Sequence, residues 1–241
     1  MAKILLLSKE ASFLIDTEQK KFSSQYGVID LTKAKIGQKI KSSSGHLFVV
    51  AEPTMADFMK KFRRGPQVVL PKDAAQIIAI TGMRSGWNCL DAGGGSGFLA
   101  LFIANIASPG RVTVYEKKKE FAKTIEHNAR FCGLKNVVVK NKDVKAFSEK
   151  SLDLITLDML GADKLVKKCW KALKFGGWLC VYSPHIEQQK RTMKEMGKDF
   201  TQIRTIECVV RDWKIDVRGY THPKYSEISH TGFMTFGRKI I

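Results

Sequence analysis

The sequence predicts an α/β protein, with a doubly wound, mostly parallel sheet preceded by a small β-rich N-terminal domain. Three observations carry this expectation. From about residue 69, short apolar runs of strand length alternate with runs of helix length. After the last helix-length run come two strand-like pieces, which must close the sheet as an antiparallel hairpin. Residues 1–68 carry instead short apolar pieces separated by polar, Gly-containing turns, the pattern of a small antiparallel unit. The 241 residues suffice for two such domains, 1–68 and 69–241.

In the first domain the apolar pieces lie at 3–7, 12–15, 27–30 and 47–50. Residues 54–62 (TMADFMKKF) read as a short helix, with Thr54 and Asp57 at capping-box spacing. Arg63-Arg64-Gly65-Pro66 is a basic linker. In the second domain, strands are expected at 87–91, 111–116, 136–140, 152–157 and 178–182, and helices at 98–107, 120–132, 164–173 and 187–196. Gly133, Gly176-Gly177 and Gly197 read as helix stops. The closing strands fall around 203–213 and 231–237. Right-handed crossovers then give the doubly wound arrangement. Met193 and Met196, in the last helix, read as packing residues.

Composition narrows the partner. Lys and Arg total 41 against 23 Asp and Glu, a net charge of +18, while 44% hydrophobic residues exclude a disordered basic tail. Residues 1–68 hold 12 basic and 6 acidic residues, and 69–241 hold 29 and 17, so both domains share the positive field. Such a field favours a polyanion, nucleic acid first. An anionic membrane comes second, but no strongly amphipathic basic helix offers itself. The alternative is that excess Lys serves solubility. The longest apolar run, 98–107 (FLALFIANIA), is too short to span a bilayer and contains Asn105. The N-terminal MAKILLLSKEAS has too short an apolar core for a signal peptide. Cys89, Cys132, Cys169, Cys180 and Cys208 form no C-x-x-C pair, which argues against disulfides and zinc and for a cytoplasmic chain with buried thiols.

The motif Asp91-Ala92-Gly93-Gly94-Gly95-Ser96-Gly97-Phe98 leaves a strand and opens a helix. Small residues there let the backbone turn tightly and bring helix N-terminal amides to a ligand. A nicotinamide fingerprint begun at Gly93 would need glycine where Phe98 stands. The D-x-G-x-G-x-G spacing present is that of S-adenosylmethionine (SAM) methyltransferases, and the closing antiparallel hairpin fits the methyltransferase variant of the fold. Glu116 ends the next strand, where a carboxylate can accept both ribose hydroxyls. Asp143 follows the third strand, where these folds often hold the adenine amine. The bland alternative is a structural turn without a ligand.

Residues after the fourth strand face the reacting group in such sheets. Here the strand ends Thr156-Leu157-Asp158-Met159-Leu160, without the N-P-P-Y of exocyclic-amine methylases or the Cys of cytosine-C5 methylases. A lone carboxylate remains, so Asp158 is the candidate catalytic residue. It can accept a hydrogen bond from an adenine N6 amine and raise electron density at ring N1. Alternatively it binds the cofactor alone or caps the next helix.

These residues resemble the tRNA (adenine-N1)-methyltransferases that modify position 58 of the T-loop, above all the archaeal type that also acts at position 57. The resemblance extends over nearly the whole chain. Four blocks carry it: Gln67-Val68-Val69-Leu70-Pro71-Lys72-Asp73, the glycine loop, Tyr182-Ser183-Pro184-His185-Ile186-Glu187-Gln188, and His222-Pro223-Lys224 followed by His230-Thr231-Gly232-Phe233. It implies SAM binding by Gly93, Gly95, Ser96, Gly97, Glu116 and Asp143, with Asp91, Phe98, Val144 and Asp158 completing the cofactor set. It matches Asp158 to the catalytic aspartate, and Tyr182, Ser183, His185, His230 and Thr231 to segments lining the target adenosine. It also implies tRNA as partner, base extrusion, a homotetramer, and no metal or membrane.

Three departures concern the substrate side. Leu70 stands where members often have Tyr, Gly161-Ala162-Asp163 where many have Pro-Trp, and Ser229 where Gly is usual. His185 and His230 could instead be loop histidines held by hydrogen bonds, and Tyr182 a core residue. Arg63, Arg64 and Lys117-Lys118-Lys119 are either phosphate contacts or solvated surface. A non-catalytic tRNA-binding subunit and a small-molecule methyltransferase on the same fold are the competing functions.

Overall fold

The computed structural model describes residues 3–65, 67–197, 199–224 and 230–240. Pro66 of the linker and Ser229 lie outside the described residues. The chain forms two compact units, Met1–Arg63 with Asn128–Lys135, and Arg64–His127 with Asn136–Ile241.

The first unit contains β1 (Lys3–Leu7), β2 (Ser12–Asp16), β3 (Lys21–Ser24), β4 (Gly27–Asp30), β5 (Lys39–Lys41), β6 (Leu47–Ala51) and α1 (Met55–Met59). Strands β2-β1-β6-β5 form an antiparallel sheet, and β3-β4 a separate hairpin. Alternation along β6 buries Phe48 and Val50 among Leu6, Ile15 and Ile29. Strands β3 (KFSS) and β5 (KIK) were not expected, because each offers a single apolar residue and is held by its neighbour's ladder. The Asp57 carboxylate accepts from the Thr54 backbone N–H at 2.9 Å and its hydroxyl at 2.7 Å, closing the start of α1 as the spacing predicts. The expected boundary at residue 68 differs from the division after Arg63. Residues 128–135 join the first unit because the Asn128 amide brackets the Arg63 backbone, at 3.0 Å to its N–H and 2.9 Å to its carbonyl.

The second unit runs α2 (Pro71–Thr81), β7 (Cys89–Ala92), α3 (Phe98–Ala107), β8 (Val112–Tyr115), α4 (Lys119–Phe131, whose last turn belongs to the first unit), β9 (Val137–Lys140), β10 (Leu152–Asp158), α5 (Val166–Ala172), β11 (Leu173–Ser183), α6 (Ile186–Met196), β12 (Phe200–Glu207), β13 (Trp213–Lys214), β14 (His222–Pro223) and β15 (Phe233–Lys239). The seven-stranded sheet has the order β12-β15-β11-β10-β7-β8-β9. Its pairs are parallel except those that β15 makes with β11 and β12. This is the predicted doubly wound sheet with a reversed closing strand. Every residue of β7 and β8 is buried, as expected of strands covered on both faces.

Three elements depart from expectation. Helix α5 stops at Ala172, and Leu173 pairs at once with Leu152. Gly176 and Gly177 therefore lie inside β11, where Gly176 has φ +76° and the register with β10 shifts, so the expected helix stop is a strand irregularity. Strand β12 ends at Glu207 instead of continuing to residue 213. Helix α2 was not expected, although Pro71 at its first turn and left-handed Gly82 after its last are ordinary helix boundaries.

Met196 is buried as predicted, whereas Met193 is exposed. Cys89, Cys169 and Cys180 are buried and Cys132 and Cys208 partly so; all five are free. Burial pushes the Cys132 and Cys169 thiols up to about 11 and about 12 and raises Cys89 and Cys180 further, which suppresses thiolate chemistry. Among the described residues no helix is long and apolar enough to cross a membrane.

Candidate active site

The site lies beyond the carboxyl ends of β7, β8, β10 and β11, where the parallel order reverses about β7 and β10. Its first part is made of backbone. Between β7 and α3, Gly93, Gly95 and Gly97 take φ of +83°, +52° and +88°, values that favour glycine. A Cβ on Gly93 would lie 2.0 Å from the Asp158 carbonyl oxygen, and one on Gly94 2.5 Å from Val114 Cγ1. The Gly97 N–H closes the turn on the Gly94 carbonyl at 2.7 Å.

Glu116, just past β8, is buried behind this loop. One carboxylate oxygen accepts the Gly95 N–H at 2.8 Å and the other the Lys118 N–H at 2.7 Å. Each keeps a lone pair that a diol can use. Asp143 accepts the Lys145 N–H at 2.8 Å and so caps a short turn. Val144 is buried in the hydrophobic core with Leu90, Ala92 and Tyr115, and its side chain forms scaffold.

Two acids stand at the junction of β7 and β10. Asp91 is buried and opposite Thr156 in the strand register, and the Thr156 hydroxyl donates to it at 2.5 Å. Burial, partly offset by that bond and reinforced by Glu116, pushes Asp91 up to about 6. Burial and then repulsion from Asp91 push Asp158 up to about 7. Asp91, Gly93, Gly95, Ser96, Phe98 and Asp158 line one narrow cleft together. A cradle that side chains would fill, walled by two carboxylates, suits an adenosyl donor bearing a sulfonium cation.

A second cleft, of about 360 Å³, adjoins the first. It is lined by Asp158, Tyr182, His230 and Thr231, together with Gln67, Val68, Leu70 and Pro184. Tyr182 lies opposite Asp158 in the β10/β11 register, and burial raises its phenol to about 12. His230 places Nδ1 at 2.6 Å from Glu207 Oε1 and Nε2 at 3.2 Å from the Pro184 carbonyl. Two acceptors favour a ring that donates from both nitrogens, and the Glu207 contact raises its pKa.

The remaining two predicted substrate residues stand outside this lining. Ser183 is buried, and its hydroxyl accepts the His185 N–H at 3.1 Å. His185 is exposed at the start of α6. Arg63, Arg64 and Lys117 to Lys119 are exposed. A separate groove of about 690 Å³, which includes Asn88, Arg111, Lys150 and Lys174, opens at the strands' opposite ends and does not touch Asp158.

Sequence reasoning missed the residues that hold these walls in place. The Gln188 amide accepts the Gly161 N–H at 3.3 Å and donates to the Met159 carbonyl at 3.0 Å, clasping the segment after Asp158. Gln189 donates to the Val181 and Phe233 carbonyls at 3.0 and 2.8 Å, joining the ends of β11 and β15. The available signal was positional: Gln188, Thr192 and Met196, four apart, share a helix face and are buried. Half-buried Lys72 and buried Asp73 form an ion pair at the start of α2.

Comparison with known proteins agrees with this geometry. The family model described as tRNA methyltransferase complex GCD14 subunit matches residues 46–229. The chain is 32% identical to the tRNA (adenine(57)-N(1)/adenine(58)-N(1))-methyltransferase TrmI of Methanocaldococcus jannaschii, covering 98% of this chain and 94% of the other. The tRNA (m1A58) methyltransferase TrmI of Aquifex aeolicus superposes with a TM-score of 0.78 at 25% identity, covering 99% of this chain and 97% of that one. A SAM-dependent O-methyltransferase from Thermotoga maritima superposes at 0.82 with 31% identity, covering 100% and 93%. S-adenosylmethionine is the methyl donor that this family and these neighbours imply, and the glycine cradle fits it. Fold, donor cradle and near-full-length similarity thus agree, and the chain belongs to the tRNA (adenine-N1)-methyltransferase family.

Proposed function

We propose that the protein methylates N1 of adenine in the T-loop of tRNA, at position 58 alone or at 57 and 58 together. One observation carries the reading: Asp158 lines both the donor cleft and the neighbouring acceptor cleft. The bound donor supplies a methyl group on a good leaving group, so what the protein must add is alignment and charge balance. Asp91, Gly93, Gly95, Ser96, Gly97, Phe98 and Glu116 would hold the donor, with Asp143 and Val144 shaping the far end of its site. In its ionised form Asp158 accepts a hydrogen bond from the adenine N6 amine, turns N1 toward the methyl group, and balances the positive charge that grows on the ring. Tyr182, His230 and Thr231 wall the acceptor, while Ser183 and His185 shape the turn beside it.

A T-loop base lies inside folded RNA, so it must be extruded into the cleft, at a cost of about a few kcal/mol. Phosphate contacts from the basic residues of both domains, 1–68 and 69–241, offset that cost, and a homotetramer would extend the footprint. The test is label transfer from SAM to a tRNA transcript across a salt series. Transfer that falls steeply with salt supports the reading. Salt-insensitive transfer to small acceptors alone contradicts it.

A second reading, a small-molecule methyltransferase, is favoured by the O-methyltransferase neighbour that covers the whole chain. A third, a non-catalytic subunit, is prompted by the family description as part of a complex. The acid pair and the donor cradle speak against the third, and calorimetric titration with SAM giving no heat would revive it.

A further inference from the structure

The block Pro71-Lys72-Asp73 has no role in the chemistry above, yet it begins α2 beside the acceptor cleft. Asp73 is fully buried. The Lys72 ammonium donates to Asp73 Oδ1 at 2.9 Å, to Thr231 Oγ1 at 2.7 Å and to the Cys208 carbonyl at 2.5 Å, using all three of its protons. The Thr231 hydroxyl donates to Asp73 Oδ2 at 2.8 Å. Both oxygens of the buried acid and the whole ammonium are thus satisfied, the condition under which a buried ion pair persists. The pair also leaves the Thr231 hydroxyl a single orientation.

Thr231 passes that constraint on, because it lines the acceptor cleft together with Tyr182. A Cβ on the next residue, Gly232, would lie 2.5 Å from Tyr182 Cζ, so the chain presses directly on the ring. Tyr182 in turn lies opposite Asp158. A continuous path therefore runs from α2 through Thr231 to the cleft wall, and no member of it except Asp158 lines the donor cleft.

We propose that Lys72 and Asp73 are positioning residues that fix Thr231 and, through the adjoining Gly232 pressed on its ring, Tyr182 beside Asp158, so that they govern acceptor turnover without acting on donor binding. This rests on the acceptor reading above. A purely structural role, stitching Cys208 and Thr231 to α2, would lower stability and leave turnover at low temperature unchanged.

The experiment compares Asp73→Asn, Thr231→Val, the two combined, and Thr231→Ser, well below each melting temperature. Each of the first two should lower kcat on tRNA about tenfold to a hundredfold, as expected of a misplaced acceptor, with the donor Kd within about twofold of wild type. The combined variant should be no worse than the weaker single one, because both break one path. Thr231→Ser should restore kcat. Wild-type kcat with only a lowered Tm, multiplied losses, or a parallel loss of donor affinity would each overturn the proposal.

If Asp73→Asn does not fold, Thr231→Val carries the same test. A second arm needs no acceptor: in ¹³C-tyrosine-labelled protein, the Tyr182 ring signal, assigned with Tyr182→Phe, should shift in Asp73→Asn. No shift overturns the brace whatever the substrate. A shift in a protein that methylates no tRNA sustains the brace and overturns the tRNA reading instead.

Discussion

The two halves of the proposed active site are built by opposite means. The donor half is backbone: one loop, 93–97, whose glycines meet the Asp158 carbonyl and Val114 where any Cβ would collide. The acceptor half is side chains, drawn from the start of α2, the end of β10, the end of β11 and the segment before β15. A backbone cradle tolerates almost no substitution and reads the donor by shape. A side-chain wall can change one residue at a time, which is how one fold can serve acceptors as different as those of its tRNA and O-methyltransferase neighbours.

The largest effect should come from the backbone half. Gly93→Ala forces a contact with the Asp158 carbonyl at a left-handed φ, and donor affinity by calorimetry should fall by about a hundredfold or more. Gly95→Ala meets no atom closer than 3.9 Å, so its cost is the φ strain alone, about 1–2 kcal/mol or about fivefold to thirtyfold. Equal losses at the two positions would break the comparison.

Asp158→Asn comes next and separates the halves. It keeps shape but not the ionised acceptor, so kcat should fall about a hundredfold or more while the donor Kd moves little.

The pH profile sharpens this. Asp91 and Asp158 are pushed up to about 6 and about 7, so below those values the pair is protonated and kcat/KM on tRNA should be low, rising by up to about tenfold per pH unit until about pH 7. Both folded values exceed the ordinary aspartate value near 3.8. The pair's contribution to stability is therefore full below about pH 4 and is lost as pH rises through 6 to 7. Tm should fall across that window while activity rises. Thr156→Val removes the donor to Asp91 and should raise the pKa of Asp91 itself, which carbonyl-region NMR of ¹³C-labelled Asp can follow.

The smallest effect should come from Leu70, one residue of the acceptor wall. Leu70→Tyr adds a ring to the cleft, and KM for tRNA should change by about fivefold, about 1 kcal/mol, with the donor Kd constant.

The donor half was legible because it is local. Gly93, Gly95 and Gly97 declare their conformation by their identity, and the helix after them runs over Phe98–Ala107 as predicted. Asp158 was legible from its place at the end of a strand whose apolar run is plain. The acceptor half was legible only in part. Tyr182, His230 and Thr231 meet in one cleft, but that Ser183 spends its hydroxyl on a turn follows from hydrogen bonding, which residue spacing does not encode. Lys72 and Asp73 were quoted in a block without a role, because their partners lie 136 to 159 residues away. Gly176 misled for the same reason: a left-handed glycine ends a helix or breaks a strand, and only the pairing of β10 with β11 decides which.

The central claim is that the cleft shared by Asp158 takes an adenine and exposes N1 to the methyl donor. The most direct measurement is a product map: a tRNA transcript incubated with SAM and either wild-type protein or Asp158→Asn, then digested and analysed by mass spectrometry. The account predicts N1-methyladenosine in the T-loop with the wild type and its near-absence with the variant at equal donor occupancy. Methylation at cytosine or guanine, or undiminished product with Asp158→Asn, would contradict it.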